Sequence, residues 1–136
     1  MTAKERLSRY YKAKKDIEYI QRQLNRLRES ASDIQATNYD RIQVDGSRDA
    51  DTIGNIVARI EEKADALEKA KVKARQIMLD IEDTLDTIRK PEIREVLCLR
   101  YIELKKWEEI ADTMSYSTTH VKRLHSKGLK ILEVKE

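Results

Sequence analysis

Proline, glycine, cysteine and large aromatic residues are scarce in this chain: one Pro, three Gly, one Cys, one Trp and no Phe in 136 residues. So few chain breakers and so little bulky apolar material argue against a thick globular core and for long helices that share narrow seams. The balance of 40% hydrophobic to 39% charged residues points the same way. A lone Cys98 excludes an internal disulfide; lying among Val96, Leu97 and Leu99, it reads as a small buried hydrophobe in a reducing cytosol. No stretch approaches the roughly 20 apolar residues that span a bilayer. Nor does an apolar run of signal-peptide length follow Lys4 and Arg6, so a soluble, cytoplasmic protein without membrane contact is expected. Gly-rich phosphate loops, HExxH and CxxC are missing, and His120 and His125 lack suitably spaced partners. No catalytic residue, metal or cofactor is expected, and the chain does not read as an enzyme. Both histidines are expected at the surface or facing a groove.

What is present is helical periodicity. Tyr10, Ala13, Ile17, Ile20, Leu24 and Leu27 alternate in steps of three and four, which predicts a first helix from about Thr2 to about Ser30 with a heptad seam. Its other face is basic (Lys4, Arg6, Arg9, Lys12, Lys14 and Lys15 among others), but Glu5, Asp16, Glu18 and Glu29 are interspersed, so a solvated face is the simpler reading. From about Ala31 to Ala50 the periodicity lapses into ASDIQATNYDRIQVDGSRDA, read as a long irregular connection with a turn signal at Asp45-Gly46. Ile42 and Val44 are expected to tuck against the helices. A second long helix then runs from near Asp51 to about Ile88 or Arg89. Its seam is Val57, Ile60, Ala64, Leu67, Ala74, Met78, Ile81, Leu85 and Ile88, interrupted by Lys71. The two helices fold as an antiparallel, coiled-coil-like hairpin, either within one chain or by pairing between two.

Lys90-Pro91 ends that element, because the residue before proline is steered away from helical geometry and proline suits a helix's first turn. The boundary is placed there: residues 1–90 as a helical interaction domain and 91–136 as a second, small domain. The overall class is all-α. In the second domain a helix from Pro91 to about Leu104 supports two shorter ones, with Trp107 in the core. Ile110 and Ala111 face inward from one short helix, Met114 closes it, Ser115 to Ser117 turn the chain, and Val121 and Leu124 face back inward from the next. Ser117 can cap this last helix through its hydroxyl. That spacing is a helix-turn-helix, and its second helix is the one that enters a DNA major groove.

Charge distribution supports a double-stranded DNA partner more than the net charge of +3 does. Thr113 to Leu132 contains no Asp or Glu, while Lys122, Arg123, Lys127 and Lys130 supply positive charge. Thr118, Thr119, Lys122, Arg123 and Ser126 project away from Val121 and Leu124, where base-reading side chains must stand. Phosphate contacts are expected from Lys105, Lys106, Ser117, Lys127 and Arg100. A homodimer through the N-terminal helices would supply a second half-site.

The stretch REVLCLRYIELKKWEEIADTMSYSTTHVKRLHSKGLKIL, Arg94 to Leu132, resembles region 4 of the sigma-70 family. The resemblance is carried by Val96-Leu-Cys-Leu-Arg-Tyr101, by Trp107-Glu-Glu-Ile-Ala111, and by Ser117 followed by Val121-Lys-Arg-Leu-His125. More broadly, with TAKERL at the start and two long helices, the chain resembles small regulators of the late-gene activator type. Phages and mobile elements of low-GC Gram-positive bacteria carry these. The resemblance implies a transcriptional regulator that reads promoter DNA and contacts RNA polymerase. One departure is Ser115, where many helix-turn-helix proteins place Gly; a non-Gly residue at positive φ costs about 1 kcal/mol. Two other readings stay open on the residues. One is a phage small-terminase-like packaging component, which also joins a helix-turn-helix to helical oligomerisation segments. The other is a coiled-coil adaptor that ignores DNA.

Overall fold

The computed structural model describes residues 1–40 and 46–134. Every regular element among them is helical: α1 (Ala3–Leu7), α2 (Arg9–Asp40), α3 (Gly46–Leu85), α4 (Pro91–Tyr101), α5 (Trp107–Met114) and α6 (Thr118–Val134). The chain divides into two compact units, Lys15–Val72 and the pair of segments Met1–Lys14 with Lys73–Glu136.

In the Lys15–Val72 unit, α2 and α3 run side by side within one chain. Gln23, Leu27 and Ser30 of α2 share a groove with Arg59, Glu62 and Lys63 of α3; α3 starts only six residues after α2 ends, so helices that lie side by side this far from the connection run antiparallel. Leu24 and Leu67 are buried, with Ile17, Ile20, Leu27, Ile60 and Ala64 half-buried around them, as the seam requires. Two expectations fail here. The irregular segment placed at about 31–50 is helical as far as Asp40 and again from Gly46. Losing an apolar stripe removes a packing face but does not stop a helix; Ala31 to Asp40 contains neither Pro nor Gly to do so. The proposed positions of Ile42 and Val44 lie outside the described residues. Val57, placed in the seam, is 43% exposed, while Ile53 and Ile56 turn inward. Adjacent positions stand 100° apart on a helix and cannot share one narrow seam; Ile56 takes the place beside Ile60.

The other unit is built around α4. The first helix does not run unbroken from Thr2; α1 stops at Ser8, whose hydroxyl donates to the Lys4 carbonyl at 2.7 Å. A reciprocal cap starts α1. The Thr2 hydroxyl accepts from Glu5 N–H at 3.1 Å, and the Glu5 carboxylate accepts from Thr2 N–H at 3.2 Å. That T-x-x-E signal is legible in the sequence, although periodicity alone passes over it. Ala3 and Leu7 are buried in the same cluster as Ile81, Leu85 and Ile88 from the end of α3 and its exit, and Leu132 of α6. This unit therefore crosses the boundary that the sequence suggests at Pro91: the first fourteen residues and the last turns of α3 pack with the C-terminal helices.

Past Leu85 the chain leaves helical geometry through Asp86 to Lys90, earlier than Ile88. Pro91 takes the first position of α4, and the Arg94 guanidinium donates to the Ile88 carbonyl at 3.0 Å, fastening the exit to the helix. Val96 and Leu97 are fully buried, and Cys98 is half-buried against the core. Burial, then the nearby Glu103 and Glu95 carboxylates, raises the Cys98 thiol above its ordinary pKa, so it stays a thiol at neutral pH.

The crossing of α4 and α6 depends on Gly128. A Cβ built there would stand 2.7 Å from Leu97 Cδ1 and 2.9 Å from Ile93 Cγ2, closer than any real contact. Gly128→Ala gains up to about 1 kcal/mol of helix propensity but overpacks a site where the β-branched Ile93 cannot retreat, at a cost of about 1–3 kcal/mol. We expect a net loss for Gly128→Ala and a larger one for Gly128→Val in urea unfolding. A stabilised alanine variant would show that the helices separate freely.

Candidate nucleic-acid interface

α5 and α6 are joined by three residues whose geometry is set by hydrogen bonds. Ser115 is left-handed at φ 58°, ψ 41°. Its N–H donates to the Asp112 carbonyl at 3.3 Å and that of Tyr116 to the Ala111 carbonyl at 3.0 Å, which terminates α5 in the manner usually left to glycine. The Ser117 hydroxyl then accepts from His120 N–H at 3.1 Å, capping α6. Ser117 thus has a structural role besides any phosphate contact. Ile110 and Ala111 from α5 and Val121 and Leu124 from α6 are buried, as the spacing requires.

On the opposite side of α6, Thr118, Thr119, Lys122, Arg123 and Ser126 are all exposed, and Lys127 and Lys130 extend the face. None of these four cations pairs with a carboxylate among the described residues. The five residues named as base readers therefore stand on one accessible surface. The phosphate candidates are more scattered. Lys106 and Lys127 are exposed, and Lys105 is half-buried. Arg100 is half-buried: its guanidinium lies 4.3 Å from the Trp107 ring centroid and donates to the Lys105 carbonyl at 3.0 Å. Trp107 is half-buried against the core rather than enclosed by it.

His125 is not at the surface and does not stand on the exposed face of α6. It is buried, hydrogen-bonded through Nε2 to the Tyr101 hydroxyl at 2.6 Å, stacked on that ring at 5.6 Å and edge-on to Trp107 at 4.8 Å. The signal was present: Val121, His125, Gly128 and Leu132 are spaced four, three and four apart, the buried stripe of α6. Burial first, then the charges of Arg100 and Lys4, lowers the imidazole pKa to about 4, so it contributes no positive charge near neutrality. Burial likewise raises the Tyr101 phenol. His120, by contrast, is half-buried and edge-on to Tyr116 at 4.7 Å.

Three short helices, a capped left-handed turn and an acid-free exposed face on the last helix leave one comparison to settle the kind of domain. Residues 90–133 match the family Sigma-70, region 4. The region-4-like segment spans α4, α5 and α6, less than half of the chain. It is a sigma-region-4-like helix-turn-helix, a DNA-binding rather than an enzymatic type of domain. No curated protein and no solved structure matches the chain. No described helix is long and apolar enough to cross a membrane.

Proposed function

We propose that the chain is a sequence-specific regulator of transcription that reads promoter DNA with α6 and activates genes of a phage or mobile element, of the late-gene activator type in low-GC Gram-positive bacteria. The observation that carries the DNA reading is the exposed face Thr118, Thr119, Lys122, Arg123 and Ser126, free of acidic residues and aligned by a capped turn. Arg123 and Lys122 suit guanine O6 and N7, and the threonine methyls suit the thymine methyl. Lys105, Lys106 and Lys127, with Arg100 and the Ser117 hydroxyl, would position the domain on phosphates without reading sequence. Contact with RNA polymerase fits the resemblance to region 4 and would add affinity that one module lacks. In this reading the Lys15–Val72 unit serves as the interaction segment, and residues 91–136 read DNA with the packing support of the first fourteen residues and the end of α3. A second copy joined through the N-terminal helices would double the half-sites.

Selection of genomic fragments by the purified protein, with and without host polymerase and at two salt concentrations, tests this reading. Fragments clustered upstream of a gene block are expected. Arg123→Ala should weaken binding to them by about 1–3 kcal/mol and relax one base position. Lys127→Ala should weaken all sequences alike and reduce the salt slope by about one. Enrichment only with polymerase present indicates a sigma-like mechanism. No enrichment in either condition overturns the DNA reading.

A further inference from the structure

A cleft of about 370 Å³ opens beside the buried end of His125, entirely within the unit formed by Met1–Lys14 and Lys73–Glu136. That volume falls in the range of small-molecule sites. Its wall is mixed in a particular way. Lys4 and Arg100 supply two positive charges; Tyr11, Tyr101 and Trp107 supply aromatic surface; and no Asp or Glu lines it. Neither cation pairs with a carboxylate among the described residues, and Arg100 spends only one N–H, on the Lys105 carbonyl.

Three further features make this more than a surface hollow. Burial first, then the charges of Arg100 and Lys4, keeps the imidazole of His125 neutral, so the charge in the cleft wall comes from these two cations. Tyr11, half exposed, adds aromatic surface to the lining of the cleft. Leu104, at the rim, is held at φ 58°, a conformation that costs a residue with a Cβ about 1 kcal/mol. The turn it makes carries Lys105, whose carbonyl holds the Arg100 guanidinium in place. A guanidinium held by the Lys105 carbonyl and the Trp107 ring, beside an exposed ammonium and aromatic walls, is an arrangement that suits an oxyanion attached to a flat apolar body.

We propose that this cleft binds a small aromatic oxyanion, a carboxylate or a phosphate, with its charge between Lys4 and Arg100 and its ring against the aromatic wall. The site is separate from the exposed face of α6, and it needs no DNA to be occupied. Because α1, α4, α5 and α6 all contribute to the wall, the bound molecule ties the N-terminal segment to the recognition helix and stabilises the folded unit.

Trp107 is the chain's one tryptophan and lines the cleft, so its fluorescence reports occupancy directly. The intact protein is titrated with phenyl phosphate, benzoate, inorganic phosphate and benzyl alcohol, and its melting temperature is followed in parallel. A saturable change with phenyl phosphate or benzoate is expected, with a raised melting temperature. Inorganic phosphate should bind at least about tenfold more weakly, since it lacks the ring, and benzyl alcohol likewise, since it lacks the charge. Which of the two aromatic anions binds more tightly identifies the headgroup. Lys4→Gln, at an exposed position that leaves the fold intact, should weaken binding about tenfold or more. No saturable response to either aromatic anion overturns the proposal, as does equal binding of benzyl alcohol or of inorganic phosphate. So does a Lys4→Gln variant that binds like the parent. All of these readouts are independent of whether the protein selects promoter fragments.

Discussion

Leu7→Ala is expected to lower the unfolding free energy of the unit that contains the helix-turn-helix by about 2–5 kcal/mol, although Leu7 is more than eighty residues from Pro91 in sequence. Leu7 is 2% exposed and belongs to one cluster with Ala3, Ile81, Leu85 and Leu132. A hollow of about 110 Å³, open to solvent and lined also by Arg6 and Arg9, lies beside Leu7, Ile81, Thr84 and Leu132. Removing the isobutyl group strips packing from Ile81 and Leu132 beside that hollow. For a unit of this size the shift in melting temperature is on the order of 10 °C or more. Tyr19→Ala, which removes a side chain that is already exposed, serves as the control and should change stability by no more than about 0.5 kcal/mol. Deleting the first fourteen residues should be at least as damaging as Leu7→Ala. A truncated protein that unfolds at the same urea concentration as the parent would show that α1 adds nothing to the core.

The second large effect is one of pH. In the unfolded chain His125 takes up a proton near its ordinary pKa of 6.5; in the folded unit it does so only near 4. Between those values the unfolded state holds more protons than the folded one, so protonation pulls toward unfolding and stability rises with pH. The contribution of His125 is fully present above about pH 6.5, is lost progressively as pH falls toward about 4, and levels off below that. Each pKa unit is worth about 1.4 kcal/mol, so the total loss amounts to roughly 3 kcal/mol, less whatever water entering the neighbouring cleft gives back. Most carboxylates protonate below this window, so urea unfolding at pH 7, 6 and 5 isolates the histidine. His125→Gln should be less stable than the parent at pH 7 and nearly flat across the same range. A parent protein whose stability does not change between pH 7 and 5 would mean that the folded unit accepts the proton readily and that the imidazole is not sealed by Tyr101 and Trp107.

The two effects concern the same helices from different sides, and both bear on DNA reading. The exposed face of α6 is only as well aimed as its buried face is well packed, and that packing includes α1, Gly128 and a neutral histidine. Substitutions at Arg123 or Lys127 should change DNA affinity with little change in stability, because both side chains are exposed. Substitutions at Leu7, Gly128 or His125 should lower stability first and lose DNA binding only as the unit unfolds. Measuring both quantities for each variant separates residues that touch DNA from residues that position the helix.

By itself the sequence determined whatever depends on near neighbours in the chain. Steps of three and four placed most of the two long seams; proline marked the start of α4; Ile110, Ala111, Val121 and Leu124 at their spacing defined a helix-turn-helix; and Ser117 was readable as the cap because it precedes the first turn that needs one. The exposed residues of α6 followed from the same 3.6-residue period. What the tertiary structure alone decided depends on partners remote in sequence. Ala3 and Leu7 look like ordinary residues at the start of an amphipathic helix until Leu132 and Ile81 cover them. Val57 and Ile56 are equally apolar neighbours, and only the opposing helix chooses between them. His125 is polar by type, so its place on the buried stripe becomes legible only when Tyr101 supplies a hydrogen bond and Trp107 and Tyr101 exclude water. Local periodicity reports which residues share a face, while burial is a property of what that face meets, and in this chain the decisive contacts join its two ends.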